Sequence, residues 1–125
     1  MKCLFALLLI FPLIVLADPM PTTWTDGDGL TWTFHPNKTR FDKAKERCTM
    51  MGFRLPSEDE FYEAVQYGLF DANKNKAFAE SIQAFEWIWM GNDSDGNTSH
   101  IVTNRYEERM RVLDYERYRM LCVKK

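Results

Sequence analysis

The feature that most constrains the fold is a pair of cysteines, Cys48 and Cys122, in a chain whose beginning is typical of an exported protein. A short positive start is followed by an apolar stretch from Leu4 to Leu16, and Val15–Leu16–Ala17 fits the small-residue rule for signal-peptide cleavage. We therefore predict that residues 1–17 are a secretion signal. About 13 apolar residues are fewer than the roughly 20 that a spanning helix needs, which argues against a membrane anchor. The sequence has no second apolar segment, so no membrane insertion is expected after cleavage.

Export has a consequence for the two cysteines that remain after the signal. In an oxidising compartment an even cysteine count favours one disulfide, whereas two free buried thiols are the alternative. A bridge between Cys48 and Cys122 would close a loop of about 75 residues, which the chain-entropy model values at about 4 kcal/mol. Cysteines so far apart do not form a zinc-binding pattern. We expect a secreted or periplasmic protein with one disulfide.

The 108 residues that follow the signal are enough for one domain. We predict a loose lead-in over residues 18–25 and one folded domain over residues 26–125. Hydrophobic residues make up 46 % of the chain and aromatic residues 14 %, which excludes a disordered protein. Without Lys2 there are 15 Lys and Arg against 18 Asp and Glu, so a nucleic-acid binder, which usually carries a basic excess, is not expected.

Two helices are predicted in the first half of the domain. Residues 41–51 carry apolar side chains at helical spacing, with Thr39 as the expected cap and Gly52 where a helix end favours positive φ. Ser57 and Glu60 have the spacing of a capping box and predict the start of the second helix. A weaker helix or an irregular segment is expected over residues 71–85.

Strands are predicted before and after these helices. Residues 30–34 alternate like a strand, which Pro36 is expected to end. The later strands share short, extended-type patterns bounded by polar turns: residues 87–90, 100–104, 109–113 and 117–123. The last two of these are expected to pair as a hairpin. Together the elements predict an α+β domain.

The order of these signals resembles one known family. The residues that carry the resemblance lie in the segments 26–32, 44–48, 52–60 and 121–124, which include Asp26, Gly-Leu-Thr-Trp, Arg-Leu-Pro-Ser and Leu-Cys-Val-Lys. This pattern resembles the bacterial Lcl C-terminal domain family, formerly a domain of unknown function, which has a C-type lectin-like fold. The resemblance implies two helices packed on a small antiparallel sheet and a disulfide between Cys48 and Cys122. Some members of that family are surface adhesins for sulfated polysaccharides, so it also implies a binding or adhesion module.

Calcium is the cofactor most often associated with such a fold. The sequence lacks the Glu-Pro-Asn, Gln-Pro-Asp and Trp-Asn-Asp triplets of the calcium-dependent animal lectins. Asp93, Asp95 and Asn97 do carry oxygen ligands at alternate positions of one loop, as Ca²⁺ prefers. A polar turn explains the same residues. We therefore expect no cofactor, with Ca²⁺ as the weaker alternative.

Two other groups of residues are candidates for ligand binding. Trp87 and Trp89 share one face of their strand and could stack on the apolar faces of sugars, although the core is expected to take at least one of them. The favoured group is the arginines of the predicted hairpin, which would share one face and pair with sulfate or carboxylate groups: Arg109, Arg111, Arg117 and Arg119. A solvated sheet face balanced by nearby glutamates is the alternative.

Catalysis is not expected, because no nucleophile–base pair can be assembled around the isolated His35 or His100. The sequence thus predicts an exported, non-catalytic binding module for a polysaccharide or glycoconjugate, including anionic ones. The alternative is a protein–protein interaction module of an envelope or surface assembly.

Overall fold

The structure is a computed structural model that describes residues 22–83, 85–91 and 99–125. In these ranges the chain forms a six-stranded sheet and three helices, which confirms the α+β prediction. In chain order the elements are β1 (Thr23–Thr25), β2 (Thr31–Thr39), α1 (Phe41–Met50), α2 (Glu58–Tyr67), α3 (Lys76–Ser81), β3 (Ile88–Trp89), β4 (Ser99–Thr103), β5 (Arg109–Leu113) and β6 (Tyr118–Lys124). The predicted signal, residues 1–17, lies outside the described residues. None of the described helices is long and apolar enough to cross a bilayer.

The strand order of the sheet is β1-β2-β6-β3-β4-β5, so the last strand of the chain lies in the interior. β6 pairs antiparallel with β2 and parallel with β3, whereas β5 is an edge strand that pairs with β4. The predicted hairpin between the last two strands is therefore wrong, because β3 and β4 separate them. The burial pattern explains the arrangement: β6 has a continuous buried run from Met120 to Val123, whereas β5 buries only Val112.

Both faces of the sheet are covered by a hydrophobic cluster. One cluster contains residues of α1 together with Trp89, Met120 and Cys122. The other contains residues of α2 and α3 together with Ile88, Trp32, Leu121 and Val123. Alternate residues of β6 thus enter opposite clusters, because successive side chains of a strand point to opposite faces of the sheet.

The disulfide predicted from the export signal and from the family resemblance is present. Cys48 of α1 is bonded to Cys122 of β6, with 5.4 Å between the two Cα atoms. Both residues are fully buried in the cluster beneath α1. The bridge therefore ties the first helix to the interior strand of the sheet.

Helix α1 ends as predicted but begins differently. Gly52 follows the helix with a φ of 81°, in the left-handed region that favours glycine. The residue before the helix is Arg40, and its side chain makes no capping hydrogen bond. The prediction that Thr39 caps this helix is therefore wrong. Instead, Thr39 belongs to β2, and its hydroxyl lies 3.8 Å from the sulfur of Met120.

Helix α2 begins with the predicted capping box. The Ser57 hydroxyl accepts a hydrogen bond from the Glu60 N–H, and a Glu60 carboxylate oxygen accepts one from the Ser57 N–H at 2.9 Å. The same carboxylate receives two hydrogen bonds of 2.7 Å from the guanidinium of Arg54. These bonds from Arg54 hold the pKa of Glu60 below its ordinary value. The Arg-Leu-Pro-Ser segment thus has a structural role.

The spacing of Asp26 and Trp32, which belongs to the family-like motif, also has a structural explanation. The buried Asp26 carboxylate accepts hydrogen bonds from the Asp28 N–H at 2.8 Å and the Leu30 N–H at 3.0 Å. Its second oxygen accepts one from the indole N–H of Trp32 at 2.8 Å. One carboxylate therefore shapes the turn before β2 and satisfies the polar atom of a fully buried tryptophan.

Candidate functional site

A strongly basic concave region lies where the end of β2 meets the beginning of α1. It has a volume of about 610 Å³ and is lined by Asn37, Lys38, Thr39, Arg40, Lys43, Arg47 and Arg117. Five of these side chains are cationic and none is acidic. We call this region the basic concavity.

Its rim is formed by an irregularity in β2. Between His35 and Thr39 this strand advances four residues while β6 advances only two. The extra residues cannot pair with β6 and bulge from the ladder, and Pro36 suits this place because it has no N–H to donate. The strand therefore continues past Pro36 to Thr39, so the prediction that it ends there is wrong. The bulge leaves Asn37 and Lys38 exposed at the rim.

The rim is held in place from two sides. The buried indole N–H of Trp89 donates a hydrogen bond of 2.7 Å to the carbonyl of Thr39. The guanidinium of Arg119 donates to the carbonyl of Pro36 and also to the carboxylate of Glu86, at 3.0 Å. The backbone of the bulge is thus fixed before any ligand arrives, which lowers the entropic cost of binding.

Helix α1 supplies the second wall. Arg40, Lys43 and Arg47 are spaced by three and four residues, so they project from one side of the helix. Because the helix begins at this wall, its unpaired N–H groups add partial positive charge. The Lys43 ammonium lies 3.7 Å from Glu46, but both side chains are exposed, and such pairs are worth little.

The remaining cation comes from the start of β6. Tyr118 is opposite Thr39 in the ladder, so the preceding residue, Arg117, lies at the end of these two strands where the basic concavity is. Within the described ranges, Lys38, Arg40 and Arg117 make no salt bridge. The positive charge of the basic concavity is therefore largely uncompensated.

His35 lies directly behind this wall. One guanidinium nitrogen of Arg47 is 3.1 Å from Nε2 of His35, and the backbone N–H of Asn37 donates to Nδ1 at 3.2 Å. Partial burial, with a further contribution from the charge of Arg47, holds the pKa of His35 below its ordinary value. The imidazole is thus a titratable group in contact with one cation of the basic concavity.

The structure does not bring together the four arginines that the sequence placed on a hairpin. Arg109 is paired with Glu58 at 3.0 Å, and Arg119 is half-buried beside Glu86. Arg111 is on the edge strand β5, and Arg117 lines the basic concavity. The expected shared face is therefore wrong, since the strands that carry these residues are not neighbours in the sheet.

The two predicted tryptophans differ in burial. Trp89 is fully buried and Trp87 is half-buried against the same cluster, which confirms that they share a face and that at least one enters the core. Trp89 is therefore not available as a sugar-stacking surface. The exposed aromatic pair is instead Phe85 and Tyr106, which are 74 % and 54 % exposed, with ring centroids 5.4 Å apart.

The weaker calcium prediction is not tested. Asp93, Asp95 and Asn97 lie outside the described residues. Among the residues that are described, no group of three His, Cys, Asp or Glu side chains is arranged to hold a metal ion.

The basic concavity was not anticipated, although part of its signal is present in the sequence. Lys38, Arg40, Lys43 and Arg47 fall within ten residues, and the last three have helical spacing. Arg117 could not have been added from the sequence, because its place depends on the pairing of β6 with β2.

Comparison with solved structures supports the fold. The chain is similar to EMS16, an antagonist of the collagen receptor integrin α2β1 (GPIa/IIa), with a TM-score of 0.56 over 86 % of this chain and 99 % of that chain. The two sequences are 12 % identical, so the likeness concerns the fold alone. No family model matches the chain, and no curated protein matches it in sequence. The chain therefore has the α+β, C-type lectin-like fold that the motifs implied.

Proposed function

We propose that this protein is an exported, non-catalytic binding module that holds an anionic polysaccharide or glycoconjugate in the basic concavity. The observation that carries the proposal is the convergence of five cationic side chains, without an acidic one, on a single concave surface. Its volume of about 610 Å³ is typical of ligand sites.

The chemistry of the lining residues favours sulfate and carboxylate groups. A guanidinium presents several N–H donors in a fixed plane, which matches two oxygens of a sulfate or carboxylate, and three of the five cations are arginines. The lysines add charge without such directional demands. A polymer with repeated anionic groups suits an open surface of this kind, because several weak contacts add up along one chain.

The fold and the motifs support the same class of function. EMS16, which shares the fold, acts on a protein receptor. Some members of the Lcl family, which the motifs of this chain resemble, are adhesins for sulfated polysaccharides. The disulfide between Cys48 and Cys122 suits an oxidising compartment, so we infer that the protein acts outside the cytoplasm, either secreted or in a periplasm.

Two glutamates and one histidine with the chemistry of catalytic groups have structural partners in the described ranges. Glu58 is paired with Arg109 and Glu60 with Arg54. The buried ring of His100 is stacked on Phe41 with 3.7 Å between centroids. We therefore propose binding rather than catalysis.

A binding experiment tests this proposal. The oxidised domain, residues 18–125, would be measured against dextran sulfate and against uncharged dextran, in calcium and then in EDTA. We expect binding to dextran sulfate only, weakened by salt and unchanged by EDTA. Loss of binding in EDTA would instead favour calcium binding by Asp93, Asp95 and Asn97.

Two double variants, each of which removes two positive charges, test where the ligand binds. Arg40→Gln with Arg117→Gln removes two cations of the basic concavity and should weaken binding at least tenfold. Arg109→Gln with Arg111→Gln removes two cations of the edge strand and should change binding less than twofold. Equal losses in both variants would show attraction by the overall charge of the protein and would contradict the proposed site.

A second candidate function is recognition of a protein partner. The observation that favours it is the exposed pair Phe85 and Tyr106, since aromatic side chains are enriched at protein interfaces. This function predicts no binding to dextran sulfate and a specific protein partner whose capture is lost in Phe85→Ser.

A further inference from the structure

The position of His35 links the basic concavity to pH. The ring is half-buried, and both of its nitrogens face N–H groups: the backbone N–H of Asn37 at Nδ1 and the guanidinium of Arg47 near Nε2. A neutral imidazole can accept one of these bonds. A protonated imidazole carries an N–H on each nitrogen and accepts neither.

Protonation therefore has two effects on this wall. It places a positive charge about 3 Å from the guanidinium of Arg47, and like charges at that distance repel each other. It also removes the acceptor for Arg47. Since Arg47 lines the basic concavity, the guanidinium that leaves His35 becomes available to a ligand there.

We propose that His35 is a proton sensor that raises the affinity of the basic concavity for anionic ligands as the pH becomes mildly acidic. This inference rests on the proposed function, because it concerns the regulation of the same site. The ligand class that would show it best is a sulfated polymer, whose charge does not change between pH 5 and 8.

Among the described residues, no carboxylate faces His35 that would cancel this effect. From α1 the ring meets Arg47, and from β6 it lies opposite the apolar Met120. The neighbouring Arg119 of β6 donates to the carbonyl of Pro36 and is paired with Glu86. The lowered pKa of His35 has burial and Arg47 as its causes, with no carboxylate contributing.

This arrangement determines whether ligand binding raises or lowers the pKa of His35. Without ligand the nearby guanidinium and the partial burial disfavour the charged ring, so its pKa lies below 6.5. A bound anion favours the charged ring, so binding is coupled to proton uptake and must raise the pKa of His35. By reciprocity, the affinity rises as the pH falls through this range.

The first measurement is the affinity for dextran sulfate at pH 7.5 and at pH 5.5 at constant ionic strength. We expect the wild type to bind about three- to tenfold more tightly at pH 5.5, which is the effect of one added charge near the ligand. His35→Gln should bind with the same affinity at both pH values. Glu63, whose pKa is raised by Asp28, also titrates in acid, but it remains in the variant and so is controlled for.

A second measurement does not depend on a variant. The ring protons of His35 can be titrated by NMR with and without saturating dextran sulfate. The pKa of His35 should be higher in the complex. An unchanged pKa, or a pH dependence that survives in His35→Gln, would overturn the sensor while leaving the binding function intact. Absence of binding at both pH values would overturn both.

Discussion

The disulfide between Cys48 and Cys122 allows a quantitative prediction about stability. Reduction of the wild-type protein leaves both sulfur atoms in place and removes only the covalent link. The two residues are 74 positions apart, and the chain-entropy model values a loop of this size at about 4 kcal/mol. Domains of this size are typically stable by about 5–15 kcal/mol, so the bridge supplies a large share.

Urea unfolding of the oxidised and the fully reduced protein measures this contribution. We expect the free energy of unfolding to fall by about 4 kcal/mol, which at an m-value of about 1.3 kcal/mol per M moves the midpoint by roughly 3 M. Free energies rather than midpoints should be compared, because the reduced unfolded chain is more expanded and changes the m-value. Mass spectrometry with thiol alkylation verifies that the bond is broken.

The double variant Cys48→Ala with Cys122→Ala separates the link from the packing. It should be insensitive to reductant and somewhat less stable than the reduced wild type, because both side chains are fully buried and alanine leaves a void. A difference below 1 kcal/mol between the oxidised and reduced proteins would refute the loop-closure argument. It would show that residual structure already restricts the unfolded chain when the bond is absent.

Two further predictions concern the structural carboxylates. Asp26→Ala should destabilise the domain by about 2–4 kcal/mol, because it leaves the buried indole N–H of Trp32 without an acceptor, and an unchanged urea midpoint would contradict the role assigned to Asp26. Arg54→Ala should cost about 1 kcal/mol at pH 7. Since Arg54 lowers the folded pKa of Glu60, this cost should decrease as the pH falls below 4.5 and through that lowered value. A difference between the two proteins that does not decrease at all between pH 7 and pH 3 in urea unfolding would disprove the pairing.

Local signals in the sequence were sufficient for helices α1 and α2, for the end of α1 and for the start of α2. The capping box of Ser57 and Glu60, and the glycine after α1, act within one helical turn, so their geometry is determined by neighbouring residues. The disulfide was predictable for a different reason, since only two cysteines remain once the predicted signal is set aside, and two cysteines have one possible bridge. Thr39 was assigned wrongly because a threonine before a helix also suits a strand.

The pairing of the strands could not be obtained in this way. Placing β6 between β2 and β3 depends on contacts between segments far apart in sequence. The alternation of apolar and polar residues along a strand shows which face is buried, but it does not reveal which strand is the neighbour. The predicted arginine face failed for this reason. The basic concavity was missed for the same reason, since Arg117 joins Arg40 and Arg47 only through the pairing of β6 with β2.

The interior position of β6 also determines when the domain can be completed during synthesis. Before this strand is made, the sheet consists of two separate parts, β1–β2 and β3–β4–β5, and no strand of one part pairs with a strand of the other. Both hydrophobic clusters then lack their residues from Met120 to Val123. Closing the sheet requires contacts of long sequence separation, which form late in folding. A chain of this topology can therefore complete its sheet and both clusters only after almost all of it has left the ribosome.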